Sequence, residues 1–96
     1  MLFLCTVSIP SFDKAKPFLE GHAKYIKENY EKGFFKIFGP YQPVTGGYVI
    51  IEAESMAQVE KIISTDPLTL GKACVNEVHE IAVGNVADDI LKYAKR

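Results

Sequence analysis

Two side chains in this sequence have the chemistry to move a proton near neutral pH. His22 lies in a helical stretch, and Asp66 precedes Pro67 at the end of another. An imidazole has an unperturbed pKa of about 6.5, so it gives and takes protons in the physiological range. A carboxylate beside it fixes which ring nitrogen carries the proton and stabilises the imidazolium. Two plainer roles stand next to this one. His22 is equally a core-edge histidine bonded to a backbone carbonyl, and Asp66 is equally the N-cap of a short turn that starts at Pro67.

Other reactive residues are less suggestive. His79 falls mid-strand on the face shared by Val75, Glu77 and Ile81. With Glu77 and Glu80 around it, a solvated or interface-facing surface is the natural reading. Cys5 and Cys74 lie in no CxxC, and no Cys/His spacing matches a zinc site. Gly46-Gly47 fits neither a Walker loop nor a dinucleotide fingerprint, which needs a strand-to-helix context; it reads as a hairpin turn. Tyr25, Tyr30, Tyr41 and Tyr48 carry phenol hydroxyls, but amphipathic packing accounts for them. No metal and no organic cofactor is expected.

The elements that must position His22 and Asp66 follow from periodicity. Residues 2–8 read as a strand apolar on both faces, with Phe3, Cys5 and Val7 on one and Leu2 and Leu4 on the other. Pro17 fits only a first helical turn, and a helix runs from there to about Lys32, stopped by Gly33. Its apolar stripe is Leu19, Ala23, Ile26 and Tyr30, with Phe18, His22, Tyr25 and Asn29 along one edge. Residues 34–38 and 48–53 are strands, joined by a Gly39-Pro40 to Gly46-Gly47 connection. Ser55 and Gln58 form a capping box for a helix from about Met56 to Asp66. Residues 74–83 form a fourth strand, and Asn85 caps a last helix with Asp88 and Asp89 early and Lys92, Lys95 and Arg96 late.

The order β-α-β-β-α-β with a trailing helix is solved most simply by an α+β, ferredoxin-like antiparallel sheet in spatial order 4-1-3-2. Right-handed crossovers place both main helices on one face. The end where the first strand finishes then collects the start of the first helix and the end of the second, which brings His22 towards Asp66. The other face is left apolar, more than monomers usually expose, so a second copy packed sheet to sheet is expected. In this register Cys74 falls near Ser8 or Ile9, some 10–13 Å from Cys5 at about 3.3 Å per residue. That exceeds the roughly 7 Å limit for a disulfide, so both thiols are expected free.

Composition excludes several classes. The 96 residues fit one domain, 1–96. Apolar residues at 48% and charged residues at 24% describe a globular chain rather than a disordered one. A net charge of −1 with scattered lysines offers no stripe for nucleic acid. No apolar run approaches the roughly 20 residues of a membrane span, and the start lacks the basic region of a signal peptide. A cytoplasmic protein is the expectation.

The ordered set Gly21-His22, Tyr25, Gly33, Gly39-Pro40, Gly46-Gly47, Ser64-Thr65-Asp66-Pro67 and Gly71 resembles the YCII-related (YciI-like) family over residues 1–83. The resemblance implies a dimeric α/β barrel in which two ferredoxin-like sheets face each other. It also implies an active site with a His and an Asp, which fall on His22 and Asp66. One departure is Glu20-Gly21, where the family often has positive charge. The expectation is a homodimer or higher homo-oligomer acting on a small organic molecule, by lyase, isomerase or dehalogenase chemistry. The alternative is a non-catalytic small-ligand binder or stress-related accessory protein.

Overall fold

The two-sided apolar run of residues 2–8 becomes strand β1 (Leu2–Ser8), with Phe3 and Cys5 sealed on one side. The computed structural model describes residues 1–94. After β1, Ser11 caps a single turn, α1 (Phe12–Ala15), and a 3-10 turn over Lys16–Phe18 carries Pro17 into the long helix α2 (Leu19–Glu31). Gly33, at φ +88°, ends α2 in the left-handed conformation that glycine adopts without strain. The Phe34 N–H then closes onto the Asn29 carbonyl at 3.0 Å, the long back-bond of a Schellman ending.

Strand β2 (Phe35–Pro40) and strand β3 (Gly46–Glu52) follow, then α3 (Met56–Ile63), the short α4 (Pro67–Leu70) and β4 (Val75–Ile81). The strands form one antiparallel sheet in the order β2-β3-β1-β4, as expected. The glycine pair is placed differently from the expectation. Gly39 and Pro40 pair with Tyr48 and Gly47 inside the β2–β3 ladder, so Gly46 and Gly47 begin a strand rather than make the turn. Gly46 (φ +154°) lies against the Val7 carbonyl, where any Cβ would collide with that oxygen. The glycines serve close strand approach, which in sequence looks the same as a turn.

Both long helices cover one face of the sheet. Phe3, Cys5, Phe35, Val49 and Ile51 meet Tyr25, Val59 and Ile63 there in the main core. The opposite face carries Leu2, Leu4, Ile50 and Ile81 in register, with His79 across from Leu4 and Glu77 across from Thr6. A second cluster of Ala15, Leu68 and Ala73 closes the end of the sheet where β1 finishes. The last element differs from the expected Asn85-capped α-helix. It is a 3-10 turn over Ile90–Tyr93 that follows Asp89, and Val83, Val86, Leu91 and Tyr93 are exposed around it. With no core to pack on, four residues cannot sustain an α-helix through propensity alone. Lys95 and Arg96, expected at that helix's end, lie outside the described residues.

Candidate active site

Helix α2 does not bury the stripe its apolar residues suggest. Tyr25 and Asn29 are its buried positions, while Ala23 and Tyr30 are exposed and Leu19 and Ile26 half-buried. The row containing His22 is therefore the inner face. Asn29 can lie inside because its side-chain amide donates to the Tyr25 carbonyl at 2.9 Å, which satisfies a polar group within its own helix. The hydrophobic pattern placed this row along one edge of the stripe rather than at its centre, because Asn and His add no apolar weight.

At the closed end of the sheet the two expected residues meet. His22 Nδ1 donates to Asp66 Oδ1 at 2.8 Å across 44 positions of sequence. The same carboxylate oxygen accepts the Leu68 N–H at 3.0 Å, so Asp66 is also the N-cap of α4. The two readings left open by the sequence describe one residue. Asp66's side chain is 3% exposed and that of His22 is 23% exposed. The carboxylate is sealed, and the imidazole reaches the surface. With Nδ1 committed to Asp66, the neutral ring keeps its lone pair on Nε2. No partner takes Nε2 among the described residues, and every sealed side-chain nitrogen or oxygen has one, so Nε2 opens to solvent.

Gly21 explains how α2 comes so close. A Cβ there would stand 3.0 Å from Pro67 Cγ and 3.3 Å from its Cβ. The helix rests on the proline ring, and the next residues on each side, His22 and Asp66, are held in bonding range. Leu68, fully buried, anchors the turn from behind.

Tyr25, one turn beyond His22, completes the surroundings. Its ring centre is 5.9 Å from the imidazole, and it meets Phe35 edge-on at 5.5 Å. Burial, and then the nearby Asp66 charge, push its phenol well above the ordinary tyrosine range, so it stays protonated. Sequence reasoning passed over Tyr25 as packing. A groove of about 650 Å³ runs between α2 and α3; Gly21, Tyr25, Thr65, Pro67 and the lysines Lys24, Lys32 and Lys61 are among its lining, and His22 and Asp66 are not.

The remaining reactive groups stand apart. His79 is exposed on the open face of the sheet, opposite the face that α2 and His22 cover. Cys5 and Cys74 are both free. Burial raises the Cys5 thiol to about 11 and also pushes Cys74 up, which leaves neither as a nucleophile near neutrality. Among the described residues no three His, Cys, Asp or Glu side chains converge as metal ligands.

A four-stranded antiparallel sheet, two helices on one face, and a histidine oriented by a buried aspartate at the sheet's end define an α+β domain of β-α-β-β-α-β type. The chain belongs to the family of the YCII-related domain, whose model matches residues 1–82. It is 35% identical over 48 residues to YjpA, an uncharacterised protein of Bacillus subtilis (strain 168); the match spans 50% of this chain and 56% of YjpA. Among the solved structures that share the fold are two enzymes. One is the 5-chloro-2-hydroxyhydroquinone dehydrochlorinase TftG of Burkholderia phenoliruptrix AC1100 in complex with 2,5-dihydroxybenzoquinone. It has a TM-score of 0.75 at 23% identity, over 88% of this chain and 96% of that one. The other is muconolactone isomerase, with a TM-score of 0.74 at 14% identity, over 93% and 98%. At these identities the likeness is one of fold.

Proposed function

We propose that this chain is a small-molecule enzyme in which His22 is the general base and acid and Asp66 its orienting carboxylate. The observation that carries this reading is the 2.8 Å bond from the imidazole to a carboxylate that is itself sealed from water. Such a carboxylate fixes the tautomer, leaves Nε2 as the base, and balances the charge once Nε2 has taken a proton. The reaction class that suits it is proton removal beside a carbonyl, followed by return of the proton elsewhere or loss of a leaving group. Isomerases, lyases and dehalogenases all use that sequence. Two proteins of the same fold, a dehydrochlorinase and an isomerase, fall in this range.

The test is exchange in deuterium oxide, followed by proton NMR, over a panel of cyclic ketones, unsaturated lactones and hydroxylated quinones. The expected outcome is catalysed loss of the proton next to a carbonyl with at least one compound. Replacing His22→Gln should lower that rate by about 10²–10⁴-fold, the usual worth of a positioned acid–base group. Asp66→Asn should also lower it. Binding without exchange or turnover would instead assign the pocket to a non-catalytic ligand binder.

A further inference from the structure

Among the described residues, every side-chain nitrogen or oxygen that is sealed from solvent has a hydrogen-bond partner. Tyr25 is more than nine-tenths buried, yet its hydroxyl makes no hydrogen bond among the described residues. A buried tyrosine usually finds a partner for that group. Since the hydroxyl is absent from the sealed and unpaired atoms, part of the residue's small remaining exposure falls on that oxygen. The body of the ring is fixed by its edge-on contact with Phe35 and by its place beside the imidazole. This is a rigid phenol whose one polar atom is left for something outside the protein.

We propose that Tyr25 is a further residue of the His22 site and supplies the hydrogen bond that receives the negative charge developed on the substrate's carbonyl oxygen. The assignment rests on His22 being the base and adds the substrate class: a neutral carbonyl compound with a removable proton on the adjacent carbon. In the step, the C–H bond breaks and an N–H bond forms at His22 Nε2. The freed electron pair becomes the new carbon–carbon double bond, and the carbonyl π electrons move onto oxygen. The Tyr25 O–H donates to that oxyanion without transferring its proton. When His22 returns its proton to carbon, the charge leaves the oxygen again and no other reactant is needed. Because the ring is held in place by Phe35 before substrate arrives, the phenol needs little reorganisation to donate, and the bond gains most in the charged state.

Tyr25→Phe removes only the oxygen and keeps the ring contacts, so the fold should melt where the native protein does. The probe is a series of substituted phenolates of graded basicity, stable mimics of an enolate oxygen, with binding followed by NMR. In the native protein, affinity should rise with oxygen basicity. In Tyr25→Phe that dependence should flatten, with the tightest member weakened roughly 10–100-fold, as for a hydrogen bond to a charged group. Equal affinities in the two proteins, or no phenolate binding to the native protein, would overturn the assignment. Neither result bears on His22, which is tested separately by exchange in His22→Gln. Where exchange is seen, Tyr25→Phe should lower kcat with little change in KM, and an unchanged kcat would count against the phenol alone.

Discussion

Gly21 is the residue on which the site's geometry turns. In an isolated helix, Ala at that position would be favoured by about 1 kcal/mol. Here the added methyl would press on Pro67 at 3.0 Å, and a proline ring has little freedom to yield. The expected outcome for Gly21→Ala is a melting temperature close to native, because propensity and crowding oppose each other. The exchange rate should nevertheless fall, because any shift of Pro67 carries Asp66 with it. Paired thermal melts and exchange assays check this, and an unchanged rate would mean that the Gly21–Pro67 contact does not set the His22–Asp66 distance. His22 and Asp66 were legible in the sequence because each sat beside an element boundary that topology brings to one end. Tyr25 was not, because a tyrosine on an amphipathic helix reads as packing. Its distinction is a missing partner, and a partner is a property of three dimensions.

The order and pairing of the elements were also legible, since short apolar runs in the strands, the Ser55–Gln58 capping box and the Gly33 stop are local signals that tertiary packing reinforced. Two misreadings have clear causes. The inner face of α2 admits Asn29 because its amide bonds within its own helix, which a hydrophobic pattern cannot register. The Gly46-Gly47 pair was demanded by the neighbouring strand rather than by a turn. At this scale the element that matters most to the site is α4, a single turn held by Leu68 in the second core cluster. Leu68→Ala should cost about 2–5 kcal/mol, as for other buried leucines, measured by denaturant unfolding. It should lower exchange activity even where the protein remains folded. Native activity in a destabilised variant would show that the cap holds Asp66 without its anchor.

Across the whole molecule the two faces of the sheet contrast. One is covered by α2 and α3, while the other presents Leu2, Leu4, Ile50 and Ile81, with Ile37 half exposed at the β2 side. A chain of this length buries only roughly 60–65% of its unfolded surface, and that apolar face is available to bury more. Light scattering at micromolar concentration should return about twice the 10.7 kDa chain mass, and Leu4→Lys should shift it towards one chain. A native monomer would leave the open face without its proposed occupant.

The single oxygen shared by His22 and Leu68 has a spectroscopic consequence. Leu68 is fully buried and touches no solvent, so its amide proton cannot sense a ligand directly. Its amide donates to Asp66 Oδ1, which divides its acceptor strength between that N–H and the imidazole. Whatever strengthens or releases the imidazole's hold on that oxygen changes the bond that remains to Leu68. The amide resonance of Leu68 is therefore a built-in gauge of events at Nε2, readable by heteronuclear NMR before any substrate is known.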